Sequence, residues 1–351
     1  MAKRWVNRPP GSNWGDFGPD DQRGRMNTVT REKVLQGIAE VKEGRTFCLS
    51  LPLDYPGGSV LNPRRSPPRL AATLRDGKNA GAQNFCYPLD TDAPGVTDVV
   101  CDDVVLLTLQ YSSQWDSFAH IGSRFDADGD GKAEIVFYNG FRAGEDIVPA
   151  SPRKDSEPWA RYEGSQAKAL GIQNLAEHGA QGRGVLIDLH AHVGRERRAV
   201  DFDLLMEIMK KDRVVVEKGD MVCLYTGFAD VILELQKKPD PKLLHGTCSG
   251  LDGRDDRLLR WISDSGLACL IADNYAVELI PTSLSKPKPH AAMPLHEHCL
   301  FKNGIHLGEM FYLTELARWL REHDRSRFLL TAPPLRLPGA VGSPPAAVAT
   351  V

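Results

Sequence analysis

Residues 104–120 read VVLLTLQYSSQWDSFAH. An apolar, β-prone run gives way within eleven residues to two glutamines, an aspartate and a histidine, the pattern of a strand that ends in a site. If the backbone stays extended over 110–116, alternate residues share a face, so Gln110, Ser112, Gln114 and Asp116 point the same way. Asp116 then offers a hard anionic oxygen, the glutamine amides offer neutral ones, and His120 follows four residues later beyond a turn. A polar strand face turned to solvent accounts for the spacing equally well.

Working outward, TREKVLQGIAEVKEG (30–44) reads as an amphipathic helix, with Thr30 as N-cap, Val34, Ile38 and Val41 on one face and Gly44 at its end. Strands are expected at 46–53, 104–110, 134–138, 184–190, 221–226, 267–272 and 328–332. Helices are expected at 165–178, 201–211, 228–237, 255–265 and 314–323. Strands and helices alternate after residue 160, whereas the earlier part is richer in strands. This predicts an α/β fold with a mixed β-sheet and helices packed against it. Residues 54–97, rich in Gly, Pro and Arg, read as a long loop of the kind that serves as a lid or binding loop. The Pro- and Ala-rich end (331–351) reads either as a disordered tail or as an extended segment lying on the domain.

Composition narrows the function. The chain has 351 residues and a formal net charge of −3, without the basic face that nucleic-acid binding requires. No apolar run approaches a membrane span, and the N-terminus lacks the apolar core of a secretory signal. Seven scattered cysteines without a CxxC pair suit reduced thiols in a cytoplasmic protein. Phosphate-binding loops and a GxSxG nucleophile elbow are both missing, which removes support from nucleotide-dependent and serine-hydrolase chemistry.

Other clusters carry possible chemistry. HEHCLFKNGIHLGE (296–309) brings together three histidines and two glutamates, common ingredients of a divalent-metal site. In LIDLHAH (186–192), His190 and His192 would share a strand face with Asp188, and buried, hydrogen-bonded structural histidines are the better reading. DADGDGKAE (126–134) begins like a calcium loop, but Phe137 stands where the bidentate glutamate belongs, so a polar hairpin turn is the better reading. IADNYAVE (271–278) ends an apolar stretch in Asp273, Asn274 and Glu278, a weak signal by itself.

Taken together these stretches resemble the cyclase family of metal-dependent hydrolases, which includes kynurenine formamidases and isatin hydrolases. The matching pieces run in order from NWGDFGPDDQRGRMNTVT (13–30) through QYSSQWDSFAH, GRGVLIDL (182–189), KGDMVCLYTG (218–227), ADNYAVE (272–278) and HEHCLFKNGIHLGE to FLLTAPPLRLPGAVGSP (328–344). The family signature HxGTHxDxPxH falls on Gln110, Ser112, Ser113, Gln114, Asp116, Phe118 and His120. The resemblance implies that Gln110, Gln114 and Asp116 hold a metal, that His120 is the catalytic acid/base, and that His296 and Glu309 complete the ligand set.

Glutamine stands at both signature ligand histidines, as in a branch with a QxSSQWDxxxH signature. Amide oxygens in place of imidazoles make the site harder and weaker, favouring manganese over zinc. The resemblance further implies a swivelling β/β/α-type fold, with an N-terminal arm (1–30), one catalytic domain (31–351) and a homodimer or homotetramer in which the arm is exchanged. The implied reaction is metal-dependent hydrolysis of a small cyclic amide, lactone or N-acyl arylamine, with Trp14, Phe17 and Trp115 as candidate walls for a planar substrate. The alternatives are a catalytically degenerate small-molecule-binding protein on the same scaffold and a metal-dependent dehydratase or true cyclase.

Overall fold

A computed structural model describes residues 4–152, 162–164, 166–280 and 290–351. Its centre is a nine-stranded mixed sheet. The strands are β1 (Thr46–Cys48), β2 (Gln114–Asp116), β3 (Gln181–Asp188), β4 (Met221–Tyr225), β5 (Cys269–Ala272), β6 (His306–Glu309), β7 (Arg327–Thr331), β8 (Gly342–Ser343) and β9 (Val348–Thr350). Their spatial order is β1-β9-β7-β3-β4-β5-β6-β2-β8. Strands β3 to β6 run parallel, and antiparallel strands extend the sheet on both sides. The mixed α/β class expected from the alternation is the observed one.

Both faces of the parallel strands are covered, so these strands read as apolar runs. Along β3, Val185 and Ile187 enter one cluster and Leu186 the other. Helices α2 (Phe202–Lys211) and α4 (Asp256–Asp264) cover the first face with Leu205, Ile208, Leu258 and Ile262. Helix α5 (Thr314–Glu322) covers the second with Leu316, Trp319 and Leu320. A further helix, α3 (Phe228–Glu234), packs in a smaller cluster with Leu51 and Met310. Among the described residues no helix is long and apolar enough to cross a membrane.

Helix α1 (Arg31–Ala39) keeps its Thr30 cap but not its predicted length or face. It buries Lys33 and Gly37, while Ile38 is exposed. A Cβ on Gly37 would lie 2.8 Å from the backbone of Gly182, so the helix approaches β3 more closely than an apolar stripe allows. Lys33 reaches Asp220 at 3.0 Å, in a buried network that Arg183 joins. Burial here follows backbone proximity and ion pairing more than hydropathy.

Further expectations change, among them the helix at 165–178, of which only Gln173–His178 is helical while Gln166–Ala167 pairs as a short strand. The run 104–110 is not a strand of the main sheet: Asp103–Leu106 pairs with Arg69–Ala72 in an exposed ribbon, and the chain then turns through 109–113. Strand β3 ends at Asp188, whose carboxylate caps a short helix (Leu189–Val193), so His190 and His192 are helical and share no strand face. The C-terminal segment is neither loose nor merely laid on the surface, since β9 sits between β1 and β7 and Val351 is buried. The acidic stretch 126–134 turns between two short paired strands, as read, and Asp126 accepts from the amides of Gly129 and Gly131.

Candidate metal centre

Strands β2 and β6 pair antiparallel, with Glu309 opposite Gln114 and Leu307 opposite Asp116. Gln114, Asp116 and Glu309 therefore share one face, and Trp115 lies on the other. His296 reaches the same point from a short helix (Pro294–His296) that continues as a π-turn, a geometry frequent at functional sites. Ligand atoms of Asp116, His296 and Glu309 all lie within 4.8 Å of one another, and all three residues are buried.

The cluster places two buried carboxylates beside one buried imidazole. Burial, and then the neighbouring Asp116, push the Glu309 carboxyl up to about 7. Burial opposes the charged form of His296, but its hydrogen bonds to Glu278 and Glu309 outweigh that and raise it to about 10. Asp116 Oδ2 is buried without a hydrogen-bond partner among the described residues. Two buried carboxylates and an imidazole, with one carboxylate oxygen lacking a partner among the described residues, are a donor set that fits a divalent cation. Gln114 donates through Nε2 to Glu309 at 2.8 Å and to Asp116 at 3.3 Å. As a ligand it would instead turn Oε1 to the same point.

A cavity of about 790 Å³ opens over the cluster, bordered by His120, His296, Glu309, Arg65, Tyr275 and Met293. This size suits a small organic molecule. His120 Nε2 stands 3.8 Å from Asp116 Oδ1. Burial lowers its pKa against the pull of Asp116, so the imidazole is held neutral and able to accept a proton.

The expected residues separate. Asp116, His296, Glu309 and Gln114 come together and His120 stands beside them. Gln110 lies in the turn before β2, so its register was misread: it borders the cavity against Gly342 but makes no hydrogen bond to the cluster. The aromatic walls are misplaced. Trp14 is core, edge-on to Trp5 and Phe301 and donating to the Phe301 carbonyl. Trp115 packs against Phe311 behind the sheet and donates to Ala332. Phe17 borders a separate surface cleft beside Asn27 and Lys33. Glu278, which orients His296, was legible only as one polar residue after a strand, and nothing local marked Arg65 or Tyr275.

The sequence model of the cyclase family, described as "Putative cyclase", matches residues 49–279. The chain belongs to this family. A solved structure described as that of a novel cyclase is similar to this chain at 28% identity, with a TM-score of 0.71 and 97% of each chain covered. The isatin hydrolases A of Labrenzia aggregata and Ralstonia solanacearum share the fold at 12% and 14% identity. Their TM-scores are 0.54 and 0.53, over 91% of this chain and 97% of theirs. No curated protein sequence matches the chain.

Proposed function

We propose that this cyclase-family protein is a metal-dependent hydrolase of a small cyclic amide, lactone or N-acyl arylamine. The observation that carries the reading is the buried Asp116–His296–Glu309 cluster, with an Asp116 oxygen that has no partner among the described residues; two of its members, His296 and Glu309, line a cavity together with His120. Family membership and a fold shared with isatin hydrolases support the same reaction type.

Asp116, His296 and Glu309 would hold the cation, with Gln114 as a further oxygen donor. A set dominated by oxygen favours manganese over zinc. When bound, a divalent cation supplies Lewis acidity that makes a nearby water more acidic. The protein's own part is proton handling and orientation. Glu278 accepts from His296 Nδ1 and leaves Nε2 turned to the cluster. His120, kept neutral by burial, takes a proton from the attacking water and returns it to the leaving nitrogen or oxygen.

The test is metal content of the purified protein and of Asp116→Asn by elemental mass spectrometry, followed by turnover of cyclic amides, lactones and formanilides in water enriched in ¹⁸O. Metal lost in the variant, with one solvent oxygen in the product, supports hydrolysis. Turnover without solvent oxygen would move the assignment to a dehydratase or cyclase. Metal-replete protein that binds these compounds without turning them over would move it to a binding protein.

A further inference from the structure

The loop 56–65 forms one wall of the cavity and ends in Pro63-Arg64-Arg65, which sets two arginines at its border. Arg65 is half-buried. Its Nη1 donates to the Gln110 carbonyl at 2.7 Å and lies 3.5 Å from Gln114 Oε1, beside the residue that bridges Asp116 and Glu309. Among the described residues no carboxylate pairs with Arg65, whereas the partly buried Arg142 has Glu134 and Arg75 has Asp92. Arg64 also lacks a carboxylate partner among the described residues. A guanidinium carries five N–H donors in a planar fork. One Arg65 nitrogen is fixed by Gln110, which orients the group and leaves Nε and Nη2 without acceptors among the described residues.

We infer that Arg65 is a specificity-determining residue, and that the substrate of the proposed hydrolase carries an anionic group, a carboxylate, in addition to the bond that is cleaved. The remaining wall fits such a molecule. Tyr275, Ala276, Ile280 and Met293 add a largely apolar surface to the same cavity, on which His245 braces the Tyr275 hydroxyl at 3.2 Å. The body of the substrate would lie against that surface, with its carboxylate taken in a forked contact by Arg65 and with Arg64 adding charge at the mouth. A neutral compound of the same shape would leave Arg65 without its partner.

This inference rests on the hydrolase reading but is tested by binding, so the two can fail separately. The probes are 2-formamidobenzoate and formanilide, which differ by one carboxylate, titrated calorimetrically into the wild type, Arg65→Gln, Arg65→Lys and Asp116→Asn. The wild type is expected to prefer the carboxylate-bearing probe by about ten- to a hundredfold, the range of a charge-assisted contact. The preference should persist in Asp116→Asn, collapse towards unity in Arg65→Gln and return in part in Arg65→Lys, whose thermal melting controls for folding. No preference in the wild type would overturn the assignment. So would a preference kept in Arg65→Gln but lost in Asp116→Asn, since the carboxylate would then be reading the metal site. Absence of turnover with either probe would count against the hydrolase reading alone.

Discussion

His296 Nδ1 lies 2.7 Å from Glu278 Oε1, while Nε2 of the same ring faces Glu309 Oε1 at 3.2 Å. The Glu278 carboxylate also accepts from the amides of Leu295 and His296, so it is itself fixed. A ring held at Nδ1 by a rigid carboxylate has its other nitrogen committed to one direction, and its basicity as a ligand rises. Replacing Glu278 by Gln should lower metal affinity by about ten- to a hundredfold with the fold intact. Competitive chelator titration measures this, and unchanged affinity would remove Glu278 from the site.

Asp116→Asn is expected to abolish stoichiometric metal binding. It takes an anionic oxygen from a buried set whose orphaned atom is Asp116 Oδ2. Elemental mass spectrometry after reconstitution with manganese and with zinc reads the outcome, and full occupancy in the variant would place the metal elsewhere.

His120→Ala should keep the metal and lose about 10²–10⁴-fold in kcat. Because burial holds the His120 pKa below its ordinary value, the neutral base predominates at neutral pH. In the wild type kcat should therefore rise as pH climbs through a value below the usual imidazole range and then level off. The variant should lose that rising limb, and an unaltered profile would exclude His120 as the base.

Asp220 accepts from Arg183 Nε at 2.8 Å and from Lys33 Nζ at 3.0 Å with no exposure of its side chain. Asp220→Ala leaves two buried cations short of a partner and should cost about 3–5 kcal/mol of stability. The urea midpoint should fall, whereas a shift within error would mean that water replaces the carboxylate at no cost.

His306 donates from Nδ1 to the Asp116 carbonyl, stacks on Phe118, and has no partner at its buried Nε2 among the described residues. Burial lowers its pKa to about 4. Between that value and the ordinary 6.5 the unfolded chain binds the proton that the folded chain refuses. Stability from this residue is complete above about 6.5 and is lost as pH falls towards 4, by up to about 3 kcal/mol. Urea unfolding from pH 7 to 4 should show a shallower decline in His306→Gln than in the wild type, and parallel declines would assign the acid sensitivity to other groups.

Much of this was legible in the chain itself. Apolar runs such as 221–225 and 269–272, each preceded by a capped helix at 202–211 and 256–264, fix an α/β sheet covered on both faces, because a strand buried on both sides must be apolar throughout. The chemistry-bearing residue types at 114–120 and 296–309 were visible too, since metal ligation and proton transfer admit few side chains. What the sequence could not supply was direction. Gln110 left the strand through a turn whose register no local periodicity recorded. Trp14 and Trp115 went to the core, where their rings found edge-on partners and their N–H groups found carbonyls. Glu278 reached His296 across eighteen residues of chain, and Arg65 reached Gln114 across forty-nine. Those meetings depend on β2 pairing with β6 and on where the intervening segments return. Composition and periodicity determine which side chains are capable of the chemistry; long-range strand pairing and the return of the intervening segments decide which of them meet.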